Sequence, residues 1–357
     1  MSPHHTIIFI LVCLASILMT RWCIQLSHSS GVFQHTDHRS LHSGDMPHIG
    51  GLGFAVVFYL TLFYLYSVEN AISSQNTVVL MFGIPLCIAG LWDDLKGLGI
   101  KPRLIVQLVC VVAVTWILDI DLQLPLEHLW SAPQWLVQLI VAVSLVWWLN
   151  AFNFMDGIDG IAAFEAIFIL LATYILGGFV VSSDANLVLD LHFYLSAAVL
   201  GFLFFNFPPA KTFMGDVGST FLGYITGVFS LISINEGYLT PWIWLILSSV
   251  FLVDTTITLL RRFLEGKSVT EAHCEHAYQM MTQYLSRRYA LDNELTDGQV
   301  RARAHRTVSL SVFAINLFWL FPLATWAALQ PEQGNVLLVT AWLPLVFISI
   351  YTRKLAV

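Results

Sequence analysis

Long apolar runs recur along the whole chain, and short polar segments separate them. A transmembrane helix needs about 20 mostly apolar residues, and fewer where flanking side chains reach the interface. The pattern therefore predicts an all-α, polytopic integral membrane bundle of eleven transmembrane helices. The predicted spans are 7–26, 49–67, 77–92, 104–118, 135–149, 161–181, 191–207, 219–234, 242–260, 308–329 and 336–351.

The basic residues orient these spans. All 16 Lys and Arg residues fall in alternate polar segments, or at span ends that face them, whereas the opposite segments hold acids but no bases. Because cytoplasmic loops of membrane proteins collect Lys and Arg, we expect the N-terminus in the periplasm and the C-terminus in the cytoplasm. The chain is predicted to be one membrane-embedded domain, 1–357, with cytoplasmic loops at 27–48, 93–103, 150–160, 208–218 and 261–307.

The composition agrees with this fold class. Hydrophobic residues make up 57% of the chain and charged residues 11%, and the mean hydropathy is +0.75. A soluble domain carries roughly 25% charged residues, so a soluble fold is excluded. The net charge is −7 and no basic block is present, which argues against a nucleic-acid partner. The five cysteines have unrelated spacings and are interpreted as small core residues, not as disulfide partners.

The predicted cytoplasmic loops collect nearly all of the unusual polar residues, and the opposite loops show no comparable group. This distribution predicts a site on the cytoplasmic face that is built from several loops and is open to soluble substrates. The residues concerned are His42, Asp93, Asp94, Asn153, Asp156, Asp159, Asn206, Asp216, His273 and His276.

The segment 150–160, N-A-F-N-F-M-D-G-I-D-G, lies at the centre of this predicted site. Asn153, Asp156 and Asp159 follow one another at three-residue spacing, which places them on one broad face if the segment is helical. Gly157 and Gly160 allow a close backbone approach or a break in the helix. Carboxylates beside hydrocarbon need a cation, a partner or water. We therefore expect a metal-dependent phosphate site here; the alternative is a polar turn that caps the next helix.

Two further acidic motifs flank this segment. Asp93 and Asp94 are adjacent, and Mg²⁺ is typically held by one or two carboxylates together with substrate phosphate oxygens. The alternative for this pair is solvation or pairing with Lys96 and Lys101. Asp216 lies in G-D-V-G-S-T before a predicted span, where a plain loop with a helix N-cap is the alternative.

A histidine motif, His273-x-x-His276, lies in the longest cytoplasmic loop with Cys274 between the two rings. Structural zinc needs four ligands, and no second Cys or His pair is placed to complete such a site. Near Arg261 and Arg262, the imidazoles are better interpreted as phosphate ligands. A solvated helix within the loop is the alternative.

Two acids lie inside predicted spans. Asp254 and Glu165 are each interpreted either as part of the site or as structural partners of a neighbouring helix, since intramembrane carboxylates are costly. For Asp254, an ion pair with Arg261 is the structural alternative.

The order of these motifs resembles one enzyme family. D-D, N-x-x-D-G-x-D-G, N-x-P-P-A-K-x-F-M-G-D-x-G-S and a cytoplasmic His motif are similar to those of the polyprenyl-phosphate N-acetylhexosamine-1-phosphate transferases, from about residue 39 to residue 276. The resemblance implies transfer of a phosphosugar from a UDP-N-acetyl sugar to undecaprenyl phosphate, with release of UMP. It also implies a need for Mg²⁺, with Mn²⁺ as a substitute, a location in the bacterial inner membrane, and a homodimer.

The resemblance also implies roles for individual residues. It implies that Asp216 coordinates the metal, and that three acids serve the lipid phosphate and catalysis: Asp93, Asp94 and Asp156. It implies substrate contacts, to the nucleotide, the diphosphate or the sugar, for Arg39, His42, Asn153, Asp159, Asn206, Lys211, Phe213, His273 and His276.

The chain departs from the family pattern in its first cytoplasmic loop. Gln34 and Thr36 stand where Asp and Pro are usual, and His48 stands where Arg is common. The form H-x-x-H-A-Y-Q is similar to the branch that primes O-antigen with GlcNAc, FucNAc or QuiNAc, and it argues against the pentapeptide transferase. The sugar itself stays open.

Two other functions remain as alternatives. A membrane aromatic prenyltransferase also uses aspartate-rich cytoplasmic loops with Mg²⁺, but Gly97 replaces the third acid of its motif and G-D-V-G-S has no role there. A transporter would place its carboxylates deep within discontinuous spans, whereas most acids here lie at one membrane face.

Overall fold

The computed structural model describes residues 3–30, 46–68, 72–120, 133–180, 187–269, 271, 273–292 and 294–356. Within these residues the chain is helical almost throughout. A π-helical segment, Asn316–Leu320, and a 3₁₀ turn, Pro331–Gln333, interrupt the last part of the chain. The helices are α1 (Pro3–Ser30), α2 (Gly51–Ser67), α3 (Ser74–Met81), α4 (Gly83–Lys96), α5 (Ile100–Leu118), α6 (Gln134–Phe154), α7 (Ile161–Val180), α8 (Leu187–Asn206), α9 (Gly215–Asn235), α10 (Pro241–Leu247), α11 (Ser249–Leu264), α12 (Ala277–Tyr289), α13 (Asp297–Ile315), α14 (Phe321–Leu329) and α15 (Gly334–Ala356).

The predicted spans coincide with these helices. Among the described residues, nine helical stretches are long and apolar enough to cross a membrane, and α3 with α4 forms one of them. Helices α10 and α11 pass the same test together but are bent by 73° at Ser248. Helix α2 is apolar and has 17 residues. The polytopic helical fold is therefore confirmed, while its orientation in the membrane stays a prediction.

The predicted cytoplasmic loops contain more helix than expected. Asp93 and Asp94 lie in the last turns of α4, and segment 261–307 holds all of α12 and the first half of α13. Helices form inside these predicted connections because polar capping groups start them outside the apolar runs, and the cytoplasmic location of the connections stays a prediction. At α13, Thr296 Oγ1 accepts a hydrogen bond from the Gln299 backbone N–H, and Gln299 Oε1 accepts one from the Thr296 N–H (2.9 Å).

Helix α9 forms the centre of the bundle. The apolar stretch of α9 is 89% buried, whereas those of α8 and α7 are 78% and 61% buried. Helices α1 and α15 expose most of their apolar stretches. Small residues allow helices to approach closely inside membranes. A Cβ at Gly223 would lie 3.0 Å from the Leu149 Cα of α6, and one at Gly227 would overlap Leu145. Helix α6 therefore packs directly on α9.

The start of α9 is held by two further elements. A Cβ at Gly90 of α4 would lie 2.7 Å from the Val217 backbone, and Gly51 of α2 approaches Gly218 in the same way. The Gly50 and Gly51 N–H groups donate to the carbonyls of Phe213 and Met214, at 3.1 and 3.0 Å. The end of α9 that carries Asp216 thus lies against α2, α4 and α6.

Candidate functional site

Asp94 holds the start of α9. Its Oδ1 accepts a hydrogen bond from the Asp216 backbone N–H (2.9 Å), and its Oδ2 accepts one from the Val217 N–H (3.0 Å). The first N–H groups of a helix have no partner within the helix, and a carboxylate there is favoured by the helix dipole. Gly215, with a φ of 73°, leads the chain into this turn. The predicted catalytic residue Asp94 therefore positions the predicted metal ligand Asp216.

Asp216 and Asp93 share one cationic group. The Arg103 Nη1 donates to Asp216 Oδ2 at 3.0 Å and to Asp93 Oδ2 at 3.2 Å. The pairing of Asp93 with Lys96 or Lys101, considered from the sequence, is not formed; Lys96 lies over the Trp92 ring instead. The sequence predicts Arg103 only as one of the cytoplasmic basic residues. Its position at the start of α5, ten residues after Asp93, is the signal that indicates a partner for this acid.

Asn153 completes the surroundings of Asp216. Its Nδ2 donates to Asp216 Oδ1 at 2.6 Å and to Ser219 Oγ at 2.9 Å. The amide lies in the last turn of α6, and Ser219 lies one turn into α9. The two oxygens of Asp216 are therefore oriented by an amide on one side and a guanidinium on the other.

Asp156 faces the same acidic group from the segment after α6. Burial raises the pKa of the Asp156 carboxyl well above its usual range, and the negative charges of Asp216, Asp94 and Asp159 raise this pKa further. Asp94, Asp156, Asp159 and Asp216 thus act on one another here. Arg103 is bound between Asp216 and a fifth aspartate, Asp93. This part of the structure has an excess of negative charge that favours a cation.

Asp159 and Asn206 lie in the interior, 4% and 3% exposed. Asp159 Oδ2 accepts from the Ala210 N–H (3.0 Å), and its Oδ1 lies 3.3 Å from His305 Nδ1. Asn206 Oδ1 accepts from the Gly160 N–H, and its Nδ2 donates to the Thr212 carbonyl, both at 2.9 Å. Their hydrogen bonds join segments 155–160 and 207–214, and a contact with the nucleotide stays a prediction.

The common face predicted for Asn153, Asp156 and Asp159 is not formed. Helix α6 ends at Phe154, and Gly160 has a φ of 78°, so Asp159 turns away from Asn153. The predicted close approach at Gly157 is present, since a Cβ there would overlap the Tyr278 hydroxyl. The chain leaves the helix before the first acid, Asp156, so the three-residue spacing does not produce a shared face.

The histidine motif precedes α12 beside this segment. The His273 and His276 rings lie 4.9 Å apart, and His276 is 2% exposed with its Nδ1 3.7 Å from Asp254 Oδ1. Tyr278, in the first turn of α12, donates its hydroxyl to the Phe154 carbonyl at 2.9 Å. The motif is thereby brought to the end of α6, next to the acidic residues.

Asp254 acts as a cap and does not pair with Arg261. Its Oδ1 accepts from the Ala277 N–H at 2.8 Å and its Oδ2 from the Tyr278 N–H at 3.2 Å, while Arg261 pairs with Glu265. The second intramembrane acid, Glu165, accepts from Asn316 Nδ2 at 2.5 Å in the π-helical segment. Glu165 is thus a structural partner of another helix, whereas the ion pair considered for Asp254 is replaced by a cap on α12 beside the histidine motif.

The remaining predicted substrate residues are placed as follows. Phe213 is partly exposed beside the start of α9, and Lys211 is exposed. Arg39 and His42 lie outside the described residues, together with Gln34 and Thr36. His48 donates from Nε2 to the Asp94 carbonyl (2.6 Å), so this departure from the family pattern supports the end of α4. His305 and Tyr278 were missed, because their partners lie far away in the sequence.

The donor set fits a magnesium ion. In the part of the chain that the structure describes, no three His, Cys, Asp or Glu side chains converge to hold a metal by themselves. Mg²⁺ keeps several ligands from water or substrate phosphate and needs only one or two carboxylates from the protein. Asp216 and Asp93 supply hard oxygen ligands, and both already bind one cationic group, Arg103.

Comparisons with known proteins identify the family. The model of glycosyl transferase family 4 matches residues 76–234. A protein of Streptococcus pyogenes serotype M12 (strain MGAS2096), named phospho-N-acetylmuramoyl-pentapeptide-transferase, is 31% identical over 266 residues, which are 66% of this chain and 73% of the relative. The chain belongs to the polyprenyl-phosphate N-acetylhexosamine-1-phosphate transferase family. It is a transferase and a multi-pass membrane protein.

Other members of this transferase family are also similar. One from Bacillus subtilis (strain 168), named "Probable undecaprenyl-phosphate N-acetylglucosaminyl 1-phosphate transferase", is 27% identical over 279 residues, 76% of each chain. A phospho-N-acetylmuramoyl-pentapeptide-transferase of Streptococcus pneumoniae serotype 19F (strain G54) is 28% identical over 226 residues, 60% of this chain and 66% of the relative. Membership of this family argues against the prenyltransferase and transporter interpretations.

Proposed function

We propose that the protein transfers an N-acetylhexosamine-1-phosphate from a UDP-sugar to undecaprenyl phosphate and releases UMP. The product would be the lipid-diphosphate-sugar that primes a cell-surface polysaccharide such as O-antigen. The observation that carries this proposal is the group of five aspartates around the start of α9, where Asp93 and Asp216 share Arg103. The name of the Bacillus subtilis relative supports undecaprenyl phosphate as the acceptor and GlcNAc-1-phosphate as the transferred group.

The proposed reaction is an in-line displacement at phosphorus. An oxygen of the lipid phosphate attacks the β-phosphorus of the UDP-sugar, the bond to the α-phosphate oxygen breaks, and UMP leaves with that electron pair. Protein contributes to such reactions mainly by positioning and charge neutralisation. A phosphate monoester has a second pKa near 6 and is largely ionised at pH 7, so a strong general base is unnecessary.

The acidic residues would hold and orient the reacting groups. Asp216 and Asp93 would bind Mg²⁺, which supplies charge neutralisation for the diphosphate and the leaving UMP. Asp94 is held by two backbone N–H groups and keeps Asp216 in place. Asp156, whose carboxyl has a raised pKa, borders the group and would orient the attacking phosphate.

The location follows the proposed chemistry. UDP-sugars are soluble cytoplasmic compounds and undecaprenyl phosphate is a membrane lipid, so the site has to lie where both can reach it. The distribution of Lys and Arg supports the cytoplasmic face of the bacterial inner membrane for this end of the bundle. The His273-x-x-His276 form supports the O-antigen branch, with GlcNAc, FucNAc or QuiNAc as the sugar.

A reconstituted assay tests the proposal. Purified protein with radiolabelled UDP-GlcNAc, undecaprenyl phosphate and Mg²⁺ should form a lipid-linked product and UMP, and chelation of Mg²⁺ should stop turnover. Asp216→Asn should lower the rate by at least about 10²-fold, as expected for loss of a charge that stabilises the transition state. Asp119→Asn, which removes an acid at the opposite end of α5, is the matched control.

Two results would contradict the proposal. Turnover of an isoprenyl diphosphate with no turnover of any UDP-sugar would establish a prenyltransferase. Full activity of Asp216→Asn would remove Asp216 from the metal site. A panel of UDP-GlcNAc, UDP-FucNAc and UDP-QuiNAc identifies the sugar.

A further inference from the structure

Arg353 is a buried arginine with unused hydrogen-bond donors. It lies near the end of α15 and is 7% exposed. Its Nη2 donates to Thr258 Oγ1 of α11 at 2.5 Å. The Nε and Nη1 groups have no hydrogen-bond partner in the part of the chain that the structure describes. By contrast, the buried Arg262 is fully engaged with Glu275 and the Ser268 carbonyl.

The nearby acids are already bound by other groups. Asp254 accepts from Ala277, Tyr278 and Thr258, and Glu275 pairs with Arg262 and Lys267. Glu265 pairs with Arg261 and Lys267. None of these three acids forms an ion pair with Arg353, and their charges act on its guanidinium from beyond ion-pair distance. Buried polar groups in proteins are nearly always hydrogen-bonded, and an exception calls for an explanation such as an absent ligand.

A chain of contacts links Arg353 to His273. Thr258, which binds Arg353, donates to Asp254 Oδ1 at 3.1 Å, and this oxygen lies 3.7 Å from His276 Nδ1, whose ring is 4.9 Å from that of His273. Burial lowers the pKa of His273 to about 4, and the charges of His276, Arg262 and Arg353 contribute to this lowering, while Glu275 opposes it. The ring is thus neutral at physiological pH and is only partly buried. The partly buried imidazole therefore lies near the guanidinium of Arg353, whose Nε and Nη1 groups have no hydrogen-bond partner among the described residues and favour an anion. The planar guanidinium fork of arginine matches phosphate geometry.

The pair formed by His273 and Arg353 lies at the edge of the acidic group. Helix α12 begins directly after His276, and Tyr278 in its first turn contacts Phe154 and Gly157, next to Asp156. We propose that Arg353, together with His273, binds a phosphate group of a substrate, specifically the diphosphate of the UDP-sugar. This inference rests on the proposed function, since it assigns one more residue to the same site.

A structural role alone makes a different prediction. If Arg353 only joins α15 to α11 through Thr258, its replacement lowers stability without distinguishing between ligands. If Arg353 binds phosphate, its replacement weakens ligands that contain the diphosphate and leaves the nucleoside unaffected. Lys354, the exposed neighbour in the same turn, provides a matched control for loss of one positive charge.

The test compares the Arg353→Gln and Lys354→Gln variants of the full chain in detergent with the wild type. Titration calorimetry with UDP and with uridine is combined with KM values for the UDP-sugar and for undecaprenyl phosphate. We expect Arg353→Gln to weaken UDP binding about 10- to 100-fold, the loss of a hydrogen bond to a charged group. Uridine binding and the KM for undecaprenyl phosphate should stay unchanged, and Lys354→Gln should match the wild type throughout.

Other results of these measurements would overturn the inference or assign the phosphate to a different substrate. Unchanged UDP binding and KM values, or an equal loss of UDP and uridine binding, overturn the inference. A raised KM for undecaprenyl phosphate with unchanged UDP binding supports the phosphate site but assigns it to the lipid. If Arg353→Gln does not fold, the Arg353→Lys variant is measured instead. A ratio of UDP affinity to uridine affinity in Arg353→Lys that equals the wild-type ratio overturns the inference. A wild type that neither binds UDP nor turns over refutes the proposed function itself.

Discussion

At the scale of single residues, the acids of the site divide by what they contact. Asp94 and Asp254 each accept hydrogen bonds from two backbone N–H groups at the start of a helix. Asp93 and Asp216 instead face a side chain, Arg103. Because backbone N–H groups cannot move away without unwinding a helix, the first pair is suited to fixing geometry. The second pair can exchange its partner for a metal ion.

Asp94 should contribute to stability as well as to activity. We expect Asp94→Ala to destabilise the protein by about 1–2 kcal/mol, because two N–H groups at the start of α9 lose their cap. Asp94→Asn keeps one acceptor oxygen and should destabilise it less, although both variants should lose turnover. Thermal unfolding in detergent, followed beside the transfer assay, measures both effects. Equal melting temperatures for Asp94→Ala and the wild type would show that the cap is unimportant.

His273 should make stability depend on pH. Its pKa is lowered to about 4 in the folded protein, against about 6.5 for an unperturbed histidine. Between these values the unfolded chain binds more protons, so stability is lost as the pH falls from about 6.5 towards 4. His273→Gln removes this contribution. We expect the melting temperature of the wild type to fall more steeply than that of His273→Gln from pH 7 to pH 5, and parallel curves would contradict this.

At the scale of elements, α12 connects the histidine motif to the acidic residues. Asp254 of α11 caps its first turn, and Tyr278 joins it to the end of α6. The lack of a side chain at Gly157 leaves room for the Tyr278 hydroxyl. The placement of both histidines therefore depends on one close contact between two elements that are distant in the sequence.

This contact can be tested by a double-mutant cycle. Gly157→Ala should destabilise the protein by about 1–3 kcal/mol, because the added Cβ overlaps the Tyr278 hydroxyl. In the Tyr278→Phe background the hydroxyl is gone, so the same substitution should cost less. Gly298→Ala, where no atom lies within 4 Å of the added Cβ, is the control. Additive changes in unfolding free energy would rule out the contact.

At the scale of the whole molecule, one end of the bundle carries the chemistry. The start of α9, the end of α4, the end of α6 and the start of α12 meet there. Helix α9 is the most buried of the candidate spans, and the outer helices expose apolar faces suited to lipid. The site is therefore built on the most buried of the candidate spans, at its predicted cytoplasmic end.

The orientation of the bundle gives a prediction at this scale. The Lys and Arg distribution places both the C-terminus and the site in the cytoplasm. A green fluorescent protein fused after residue 357 should fluoresce, because this reporter folds in the cytoplasm, whereas alkaline phosphatase at the same position should be inactive. The reverse pattern would invert the topology. Fusions within segment 182–190, the predicted periplasmic connection between the spans 161–181 and 191–207, should give the opposite pair of signals.

The sequence by itself determined the helical membrane fold, the positions of the spans and the acidic residues of the site. These follow from local properties, since the length of an apolar run and the spacing of polar residues are readable without knowledge of distant contacts. The starts of α12 and α13 lie outside the predicted spans, because polar capping groups begin these helices beyond the apolar runs.

Only the tertiary structure decided what each polar residue contacts. The bond from Asp94 to the start of α9, the bridge of Arg103 between Asp93 and Asp216, and the pairing of Asp159 with His305 join residues far apart in the chain. Such partners depend on how helices pack, and no local spacing encodes that packing. The same reason explains why Arg353, a cation at the end of the last span in the sequence, is buried beside the histidine motif in the structure.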